Sequence, residues 1–168
     1  MPATARTAPG PAAELSVTVA LADPAREPGA GLLAAMEAEV EALYADRTGS
    51  MQVDSAAPAA EMRPPAGSFL LMRIAGEPVA CGGLKRLDDN TGEIKRMYVV
   101  PRFRGQGLSR LLLEDLEERA RELGYSRARL DTGDRQPAAA TLYDDAGYRR
   151  IPDYNGNRLA RLWFEREL

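Results

Sequence analysis

The sequence predicts a mixed α/β (α+β) fold with a central, mostly antiparallel sheet flanked by helices. Apolar residues change from alternation to helical spacing and back along the chain, three alternating segments are joined by short turns, and a strand–helix–strand unit follows them. With 168 residues, 45% of them hydrophobic, the chain can bury a core without disulfides or metals. We predict one domain over residues 14–168, after a disordered Ala- and Pro-rich N-terminal tail over residues 1–13.

The sequence pattern in the first half of the chain predicts a strand, a helix and a long loop. Leu15–Leu21 alternates between apolar and polar residues, as a half-buried strand does. Gly31–Asp46 carries its large apolar residues at helical spacing. Arg47–Gly67 is rich in Ala, Pro and Ser, which predicts a mobile loop with room for one short helix.

Three strands are predicted next, over Ser68–Ile74, Val79–Leu87 and Glu93–Val100. Turns that contain Gly, Pro, Asp and Asn separate them, which is typical of hairpins. Because consecutive strands usually pair, these segments predict an antiparallel meander.

The second half begins with an amphipathic helix over Leu108–Leu123, with its leucines on one face and Gly124 placed to end it. The strand Arg127–Thr132 follows, and with Glu93–Val100 it predicts a right-handed parallel crossover. The chain ends with a helix and two strands, predicted over Pro137–Ala146, Tyr148–Ile151 and Leu159–Glu165.

Charge and rare residue types exclude several classes of function. The 22 Lys and Arg against 25 Asp and Glu give a net charge of −3, so we expect no general binding to nucleic acid or to an anionic membrane. The chain has no His and a single Cys, Cys81, which excludes a Cys–His nucleophile pair and an intrachain disulfide and leaves no expected metal site. Without a signal peptide or a long apolar run, the expected location is the cytoplasm.

A Gly- and Arg-rich turn over Pro101–Ser109 carries the strongest functional signal. Unpaired N–H groups and the helix dipole favour an anion at the start of the following helix, where Gly105 and Gly107 allow close approach and Arg102 and Arg104 add positive charge. The turn lacks the Gly-Lys-Ser/Thr of a P-loop and the third Gly of a dinucleotide fingerprint. It predicts a phosphate or pyrophosphate site, with a plain strand–helix turn as the alternative.

Two motifs resemble the GNAT superfamily of acyl-CoA N-acyltransferases. Arg102-x-x-Gly105-x-Gly107 fits its Gln/Arg-x-x-Gly-x-Gly/Ala acyl-CoA signature, and Gln136–Tyr143 followed by Ala146-Gly147-Tyr148 is similar to its Asn-Pro-x-Ala-x-x-Leu-Tyr…Gly-Phe/Tyr segment. The resemblance covers roughly Val79–Ile151. It implies a GNAT-like fold and transfer of an acetyl group from acetyl-CoA to the primary amine of a small molecule, by direct attack in a ternary complex.

The resemblance also implies roles for individual residues. The strand before the turn would splay from its neighbour and pair with pantetheine, the turn would hold the pyrophosphate, and Tyr143 would donate a proton to the leaving thiolate. Gln136 stands where the family often has a cofactor-contacting Asn, and Ser109 replaces a common Gly. The implied cofactor-binding residues are Met97, Tyr98, Val99, Arg102, Arg104, Gly105, Gln106, Gly107, Leu108, Ser109, Gln136 and Tyr143.

Acetyl transfer to an amine needs a base, because free alkylamines have a pKa near ~10. Without His, the base must be a carboxylate, a water or a Tyr. Glu93 is the first candidate and Asp131, at the end of the next strand, is the second. The alternatives are a structural pair between Glu93 and Lys85 on the diagonal, a turn-capping Asp131 and a core role for Tyr143.

Other functions stay open at this point. The acceptor is either a small amine, which the acidic balance favours when the amine is cationic, or a protein lysine or N-terminus. A non-catalytic acyl-CoA-binding module and a nucleotide-binding protein are further alternatives. Many members of the family are dimers, so the resemblance makes a homodimer an expectation.

Overall fold

The computed structural model describes residues 3–9, 14–48 and 56–168. Within these residues the elements are, in order, β1 (Thr4–Pro9), β2 (Glu14–Leu21), α1 (Gly29–Leu43), α2 (Ala45–Thr48), α3 (Ala56–Glu61), β3 (Ser68–Ile74), β4 (Glu77–Arg86), β5 (Thr91–Val99), a 3-10 turn (Pro101–Phe103), α4 (Leu108–Glu122), β6 (Arg127–Thr132), α5 (Pro137–Asp145), β7 (Arg149–Ile151) and β8 (Leu162–Glu167).

The strands form a single sheet in the order β1-β2-β3-β4-β5-β6-β8-β7. Neighbouring strands in the described ranges are antiparallel, except for the parallel pair of β5 and β6 that α4 connects. The predicted mixed fold, with its antiparallel meander and parallel crossover, is therefore confirmed.

Helices cover both faces of this sheet. On one face the leucines of α4 enter the main core, together with Tyr143 of α5 and Phe164 of β8. On the other face Leu32 and Leu33 of α1 pack with a smaller cluster. Two consecutive glycines of β4 permit this, because a Cβ at Gly82 would lie 2.8 Å from Leu116 Cδ1 of α4, and one at Gly83 would overlap Met62 on the opposite face.

The predicted loop Arg47–Gly67 contains one short helix, α3, as the sequence allowed, and α2 also extends into its first two residues. Residues 49–55 lie outside the described ranges. A second segment differs from the sequence-based expectation. β8 begins at Leu162 and not at Leu159, because the N–H of Ala160 donates to the carbonyl of Asn157 and holds the preceding residues in a turn.

The strand β1 lies within the segment for which the sequence predicts a disordered tail. β1 pairs with β2 from Thr4↔Val19 to Pro9↔Glu14, and Arg6 forms ion pairs with Glu114 and Asp115 of α4 at 3.6 and 3.1 Å. A sheet edge offers backbone partners to any extended chain, so a strand can form there without large apolar residues. Residues 1–2 and 10–13 of the predicted tail lie outside the described ranges, and the division between tail and domain stays a prediction.

Candidate functional site

The strands β5 and β6 pair over only three residues and then separate. Their parallel ladder runs from Thr91↔Arg127 to Glu93↔Arg129, whereas β5 continues to Val99 and β6 to Thr132. On its other side β5 stays paired with β4 as far as Val99. The expected splay is therefore confirmed, and no strand of the described ranges pairs with this edge of β5 beyond Glu93.

An irregularity at Arg96 contributes to this divergence. The β4–β5 register shifts between Cys81 and Gly83, and Arg96 has a φ of +57°. Its guanidinium donates to Glu37 Oε1 of α1 at 2.8 Å. A bulge increases local twist, so it turns the end of β5 away from the regular sheet, and the ion pair anchors the bulge to α1.

A cavity of about 450 Å³ lies where the strands part. It reaches α1 on one side and the start of α4 and of α5 on the other. Its lining is Met36, Glu39, Val40, Leu43, Met97, Tyr98, Val99, Phe103, Arg104, Gly105, Leu108, Ser109, Leu112, Arg135, Gln136, Pro137, Ala138, Ala139, Leu142 and Tyr143.

The turn at the mouth of this cavity presents backbone donors. Gly107 caps α4 in the left-handed conformation, with no side chain bonded to the cap, and the first helical bond runs from the Leu111 N–H to the Gly107 carbonyl. The N–H groups of the first turn of α4 therefore have no acceptor within the helix. A Cβ at Gly105 would meet no heavy atom within 4 Å, and Gly105 lines the cavity, so the turn is open on this side. Such a turn suits an anion.

Both arginines of the turn are engaged by carboxylates, and neither projects a free charge into the turn. Arg102 pairs with Glu77. Arg104 donates to Glu39 at 2.7 Å and to the Val99 carbonyl at 2.9 Å. The contribution of these arginines to the anion site stays a prediction, and in the structure β4 and α1 bring an acidic partner to each of them.

The phenol of Tyr143 lies inside the cavity against β5. Its ring packs on Phe164 with centroids 5.5 Å apart, and its hydroxyl lies 4.0 Å from Met97 Sδ. Burial, and to a smaller extent the charge of Asp131, raises the pKa of Tyr143. The phenol is therefore protonated at neutral pH and able to donate a hydrogen bond.

Glu93 lies at the last paired position of β5, on the α1 face of the sheet and almost fully buried. Its carboxylate accepts hydrogen bonds from Tyr154 Oη and Asn155 Nδ2, both at 2.9 Å, and lies 3.3 Å from Lys85 Nζ and 3.4 Å from Lys95 Nζ. Burial acts to raise the pKa of Glu93, but Lys95, Asn155, Lys85 and Tyr154 together hold it below its usual range. Lys85 stands directly opposite Glu93 in the ladder, not on the diagonal.

Asp131 joins this group through a shared amide. Asn155 Nδ2 donates to Asp131 at 2.5 Å as well as to Glu93, and Asn157 Nδ2 donates to Asp131 at 2.9 Å. Burial, helped by the neighbouring charge of Glu93, raises the pKa of Asp131. The two carboxylates therefore differ, with Glu93 held as an anion and Asp131 closer to its protonated form.

The described residues contain no group of three or more Asp, Glu or Cys side chains arranged to hold a metal ion. Among the helices of the described ranges, none combines the length and apolar character of a membrane span.

A comparison with models of protein families identifies the family of this chain. The model of the acetyltransferase (GNAT) family matches residues 32–148, more than half of the chain. The chain belongs to the GNAT family. The family match includes most of α1, the splayed strands, the Gly-rich turn and Tyr143, all of which contribute to the cavity.

Individual relatives agree with this GNAT assignment. The chain is 40% identical over 81 residues to the IAA acetyltransferase of Azospirillum brasilense, a match that covers 48% of this chain and 53% of that protein. A Klebsiella pneumoniae structure, provisionally described as an acyl-CoA N-acyltransferase, has a TM-score of 0.72 at 29% identity, over 90% of this chain and 97% of that one. The chain spans about half the length of the first curated relatives it matches.

A more distant GNAT structure carries a ligand. The GNAT acetyltransferase from Elizabethkingia anophelis, solved with acetyl-CoA bound, has a TM-score of 0.63 at 20% identity, over 90% of this chain and 98% of that one. At this identity the likeness concerns the fold alone.

The cavity brings together most of the residues that the GNAT resemblance implies. The implied residues on its wall are Met97, Tyr98, Val99, Arg104, Gly105, Leu108, Ser109, Gln136 and Tyr143. Arg102, Gln106, Gly107 and Glu93 do not line it. The side-chain oxygen of Gln136 accepts hydrogen bonds from Thr132 Oγ1 and the Gly133 N–H, so its amide nitrogen is the group left to contact a ligand.

Sequence reasoning did not single out the residues of α1 that line the cavity, nor those of the β7–β8 loop that hold Glu93. The residues of α1 that line the cavity are Met36, Glu39, Val40 and Leu43. Helical spacing of apolar residues predicts that a helix has a buried face, but it does not indicate that this face lines a cavity. Tyr154 and Asn155 hold Glu93 from a polar loop for which the sequence carries no recognisable motif.

Proposed function

We propose that this GNAT member transfers an acetyl group from acetyl-CoA to the primary amine of a small molecule, by direct attack in a ternary complex. The observation that carries the proposal is the opening of β5 from β6 into a cavity that holds a buried phenol and ends at the uncapped start of α4. The acetyltransferase names of the relatives support it, as does the acetyl-CoA in the Elizabethkingia anophelis structure.

The residues of the cavity fit the parts of acetyl-CoA. We expect the free backbone edge of Met97, Tyr98 and Val99 to pair with pantetheine as an added strand would. The N–H groups from Gly105 to Ser109 would hold the pyrophosphate, because the open space before Gly105 and the missing side-chain cap leave room for an anion. Bound acetyl-CoA supplies the activated acetyl group.

In this proposal, groups of the chain donate hydrogen bonds to the two atoms of the thioester that gain negative charge, the sulfur and the carbonyl oxygen. Tyr143 donates a hydrogen bond to the departing sulfur, because its buried hydroxyl stays protonated. The backbone N–H of Met97 donates to the developing oxyanion. Tyr143 transfers no full proton in this scheme, since its raised pKa lies well above that of a thiol, and hydrogen bonding is the stabilising contribution.

The amine must lose a proton, and we assign this step to the pair of Glu93 and Asp131. Glu93 was the first candidate from the sequence, but two ammonium groups and two hydrogen-bond donors stabilise its anion and weaken it as a base. Within the described residues, Asp131 accepts hydrogen bonds only from the side-chain amides of Asn155 and Asn157, and its pKa is raised, so it is the better proton acceptor. We therefore propose Asp131 as the base, acting through water, and Glu93 as the fixed charge beside it.

A screen for thiol release tests the function. Purified protein and acetyl-CoA are incubated with polyamines, aminoglycosides, amino acids and lysine peptides, and calorimetry measures the binding of acetyl-CoA, ATP and NAD separately. We expect acetyl-CoA to bind in preference to the nucleotides and at least one small amine to release free thiol. Binding without release for every amine would identify an acyl-CoA-binding module, release with peptides alone would identify a protein acetyltransferase, and preference for ATP or NAD would refute the acyl-CoA site.

A further inference from the structure

A second, smaller cavity lies beside the first and has no role in the function proposed above. Its volume is about 180 Å³, and it is lined by Tyr44, Arg47, Arg158, Leu159 and Arg161. Three of its five lining residues are arginines, in a chain whose net charge is −3. The local charge therefore has the opposite sign to that of the whole molecule.

The arginines of this second cavity are only partly neutralised. Arg47 forms a bidentate pair with Asp134, at 2.8 and 2.9 Å. Arg161 directs one guanidinium nitrogen to the carbonyls of Arg158 and Ala160, which carry no charge. The exposed Arg158 has no acidic side chain within ion-pair distance in the described ranges. Two guanidinium groups thus face the cavity without a carboxylate bonded to them.

The two cavities are adjacent. Leu43 lines the first cavity and its neighbour Tyr44 lines the second, while the Tyr44 hydroxyl accepts a hydrogen bond from the N–H of Arg135, another wall residue of the first. A Cβ at Gly133 would overlap the Tyr44 hydroxyl, so this contact is tight. Both cavities therefore lie next to each other, at the carboxyl end of β6.

We infer that the second cavity binds the carboxylate of the acceptor, so that the amine is carried by an amino acid or a related amino carboxylate. This inference rests on the proposed function and adds the acceptor class to it. Guanidinium groups suit a carboxylate because their planar forks match its two oxygens. A volume of about 180 Å³ holds a carboxylate and a few waters, since one water takes about 30 Å³ of liquid volume.

A ligand-binding experiment tests the inference without enzyme turnover. N-Acetylglycine and N-acetylglycinamide differ in one carboxylate and serve as probes in NMR titrations of the full chain. For the wild-type protein we expect N-acetylglycine to bind at least about fivefold more tightly, because only its carboxylate can form an ion pair with the guanidinium groups. In the Arg158→Gln/Arg161→Gln double variant this ratio should fall close to one.

The matched control is Arg121→Gln, which removes an arginine from the exposed side of α4, where it pairs with Glu118 at 3.2 Å. It changes the net charge by one but leaves the cavity intact, so it should keep the wild-type ratio. Equal binding of the two probes to wild-type protein, or a ratio that survives in the double variant, would overturn the inference.

Kinetics separate this inference from the proposed function. Amino acids and the amines that lack only their carboxylate are compared as acceptors in the thiol-release assay. We expect kcat/KM to favour the amino acid in wild-type protein, and the double variant to lose this preference while it keeps activity on the plain amine. Thiol release confined to amines without a carboxylate refutes the carboxylate site and leaves the transferase intact. Absence of release with every amine refutes the transferase, while the NMR titration still decides the anion site.

Discussion

The hydroxyl of Tyr143 is a buried hydrogen-bond donor whose nearest described partner is a sulfur atom. The ring packs against Tyr148 and Phe164, while its hydroxyl has only Met97 Sδ as a described partner, at 4.0 Å. A buried hydroxyl without a strong acceptor is costly, so it is available to a ligand that offers one. Packing thus fixes the ring, and the weak contact leaves the donor free.

Tyr143→Phe tests this role. The change keeps the ring and its packing but removes the donor, so we expect kcat to fall about 100-fold, a typical size for a proton donor. Calorimetry should show acetyl-CoA affinity nearly unchanged. The control is Tyr148→Phe, which removes the hydroxyl of the neighbouring buried tyrosine and should leave kcat unaltered. An unchanged rate in Tyr143→Phe would remove this residue from the mechanism.

The two carboxylates predict different pH profiles. Asp131 accepts a proton only when ionised, and its pKa is raised, so kcat/KM should increase as the pH rises through that value. Asp131→Asn should therefore lower kcat/KM about tenfold or more near neutral pH and remove one unit of slope from the acid side of the log profile. Glu93→Gln should keep that slope, because the lowered pKa of Glu93 leaves its carboxylate ionised near neutral pH. Loss of the slope in Glu93→Gln alone would reverse the assignment.

At the residue scale, sequence reasoning located side chains but not their partners. The Leu-Tyr motif placed Tyr143, which lies in the cavity. The alternative role predicted for Glu93 was a pair with Lys85 on the diagonal. The two residues do pair, but they lie directly opposite each other, because the register of the strands depends on where the intervening turn ends. Glu39 reaches Arg104 from 65 positions away, and no local pattern encodes such a contact.

Among the elements, the β5–α4 connection determines where a ligand can lie. β5 must leave β6 to expose its edge, and the bulge at Arg96 lies in the part of β5 that does so. The left-handed Gly105 and Gly107 then turn the backbone into α4. Left-handed conformations cost a residue with a side chain about 1–2 kcal/mol, which explains why glycines occupy the turn.

Gly105→Val tests the turn as an anion site. Its φ of +74° makes a β-branched side chain strained, and the side chain would enter the open space before the N–H groups, so acetyl-CoA affinity should fall about tenfold or more. The control is Gly76→Val in the β3–β4 hairpin, where φ is +84° and a Cβ also meets nothing within 4 Å. Both variants should lose similar thermal stability, but only Gly105→Val should bind acetyl-CoA weakly in calorimetry. Equal affinity in the two would contradict the site.

Elements with strong periodicity were predictable, and an edge strand was not. The bounds of β3 and β6 match the prediction, and α4 differs by one residue at its end, because alternation and leucine spacing reflect burial directly. β1 has no such signature: it is held by backbone pairing with β2 and by Arg6, both of which depend on the finished sheet.

For the molecule as a whole, buried carboxylates paired with arginines couple folding to pH. Glu165 of β8 is 2% exposed and forms ion pairs with Arg127 and Arg129 of β6 and with Arg149 of β7. Burial acts to raise the pKa of Glu165, but these arginines hold it below its usual range. Its ionised form therefore stabilises the fold above the pKa of the unfolded chain, and this contribution is lost as the pH falls through the lower folded value.

Glu165→Gln should lower the free energy of unfolding by about 1–3 kcal/mol at neutral pH, because it leaves charged hydrogen-bond donors without their acceptor. Denaturant unfolding at neutral pH and in acid should then show a smaller loss of stability on acidification than in the wild-type protein, since the titrating group is gone. Glu167→Gln is the control, because Glu167 lies on the same strand, is 78% exposed and pairs with Arg127 at only 3.6 Å. It should stay within about 0.5 kcal/mol of wild type. If both variants lose stability equally, surface charge and not the buried pairing of Glu165 governs the acid sensitivity.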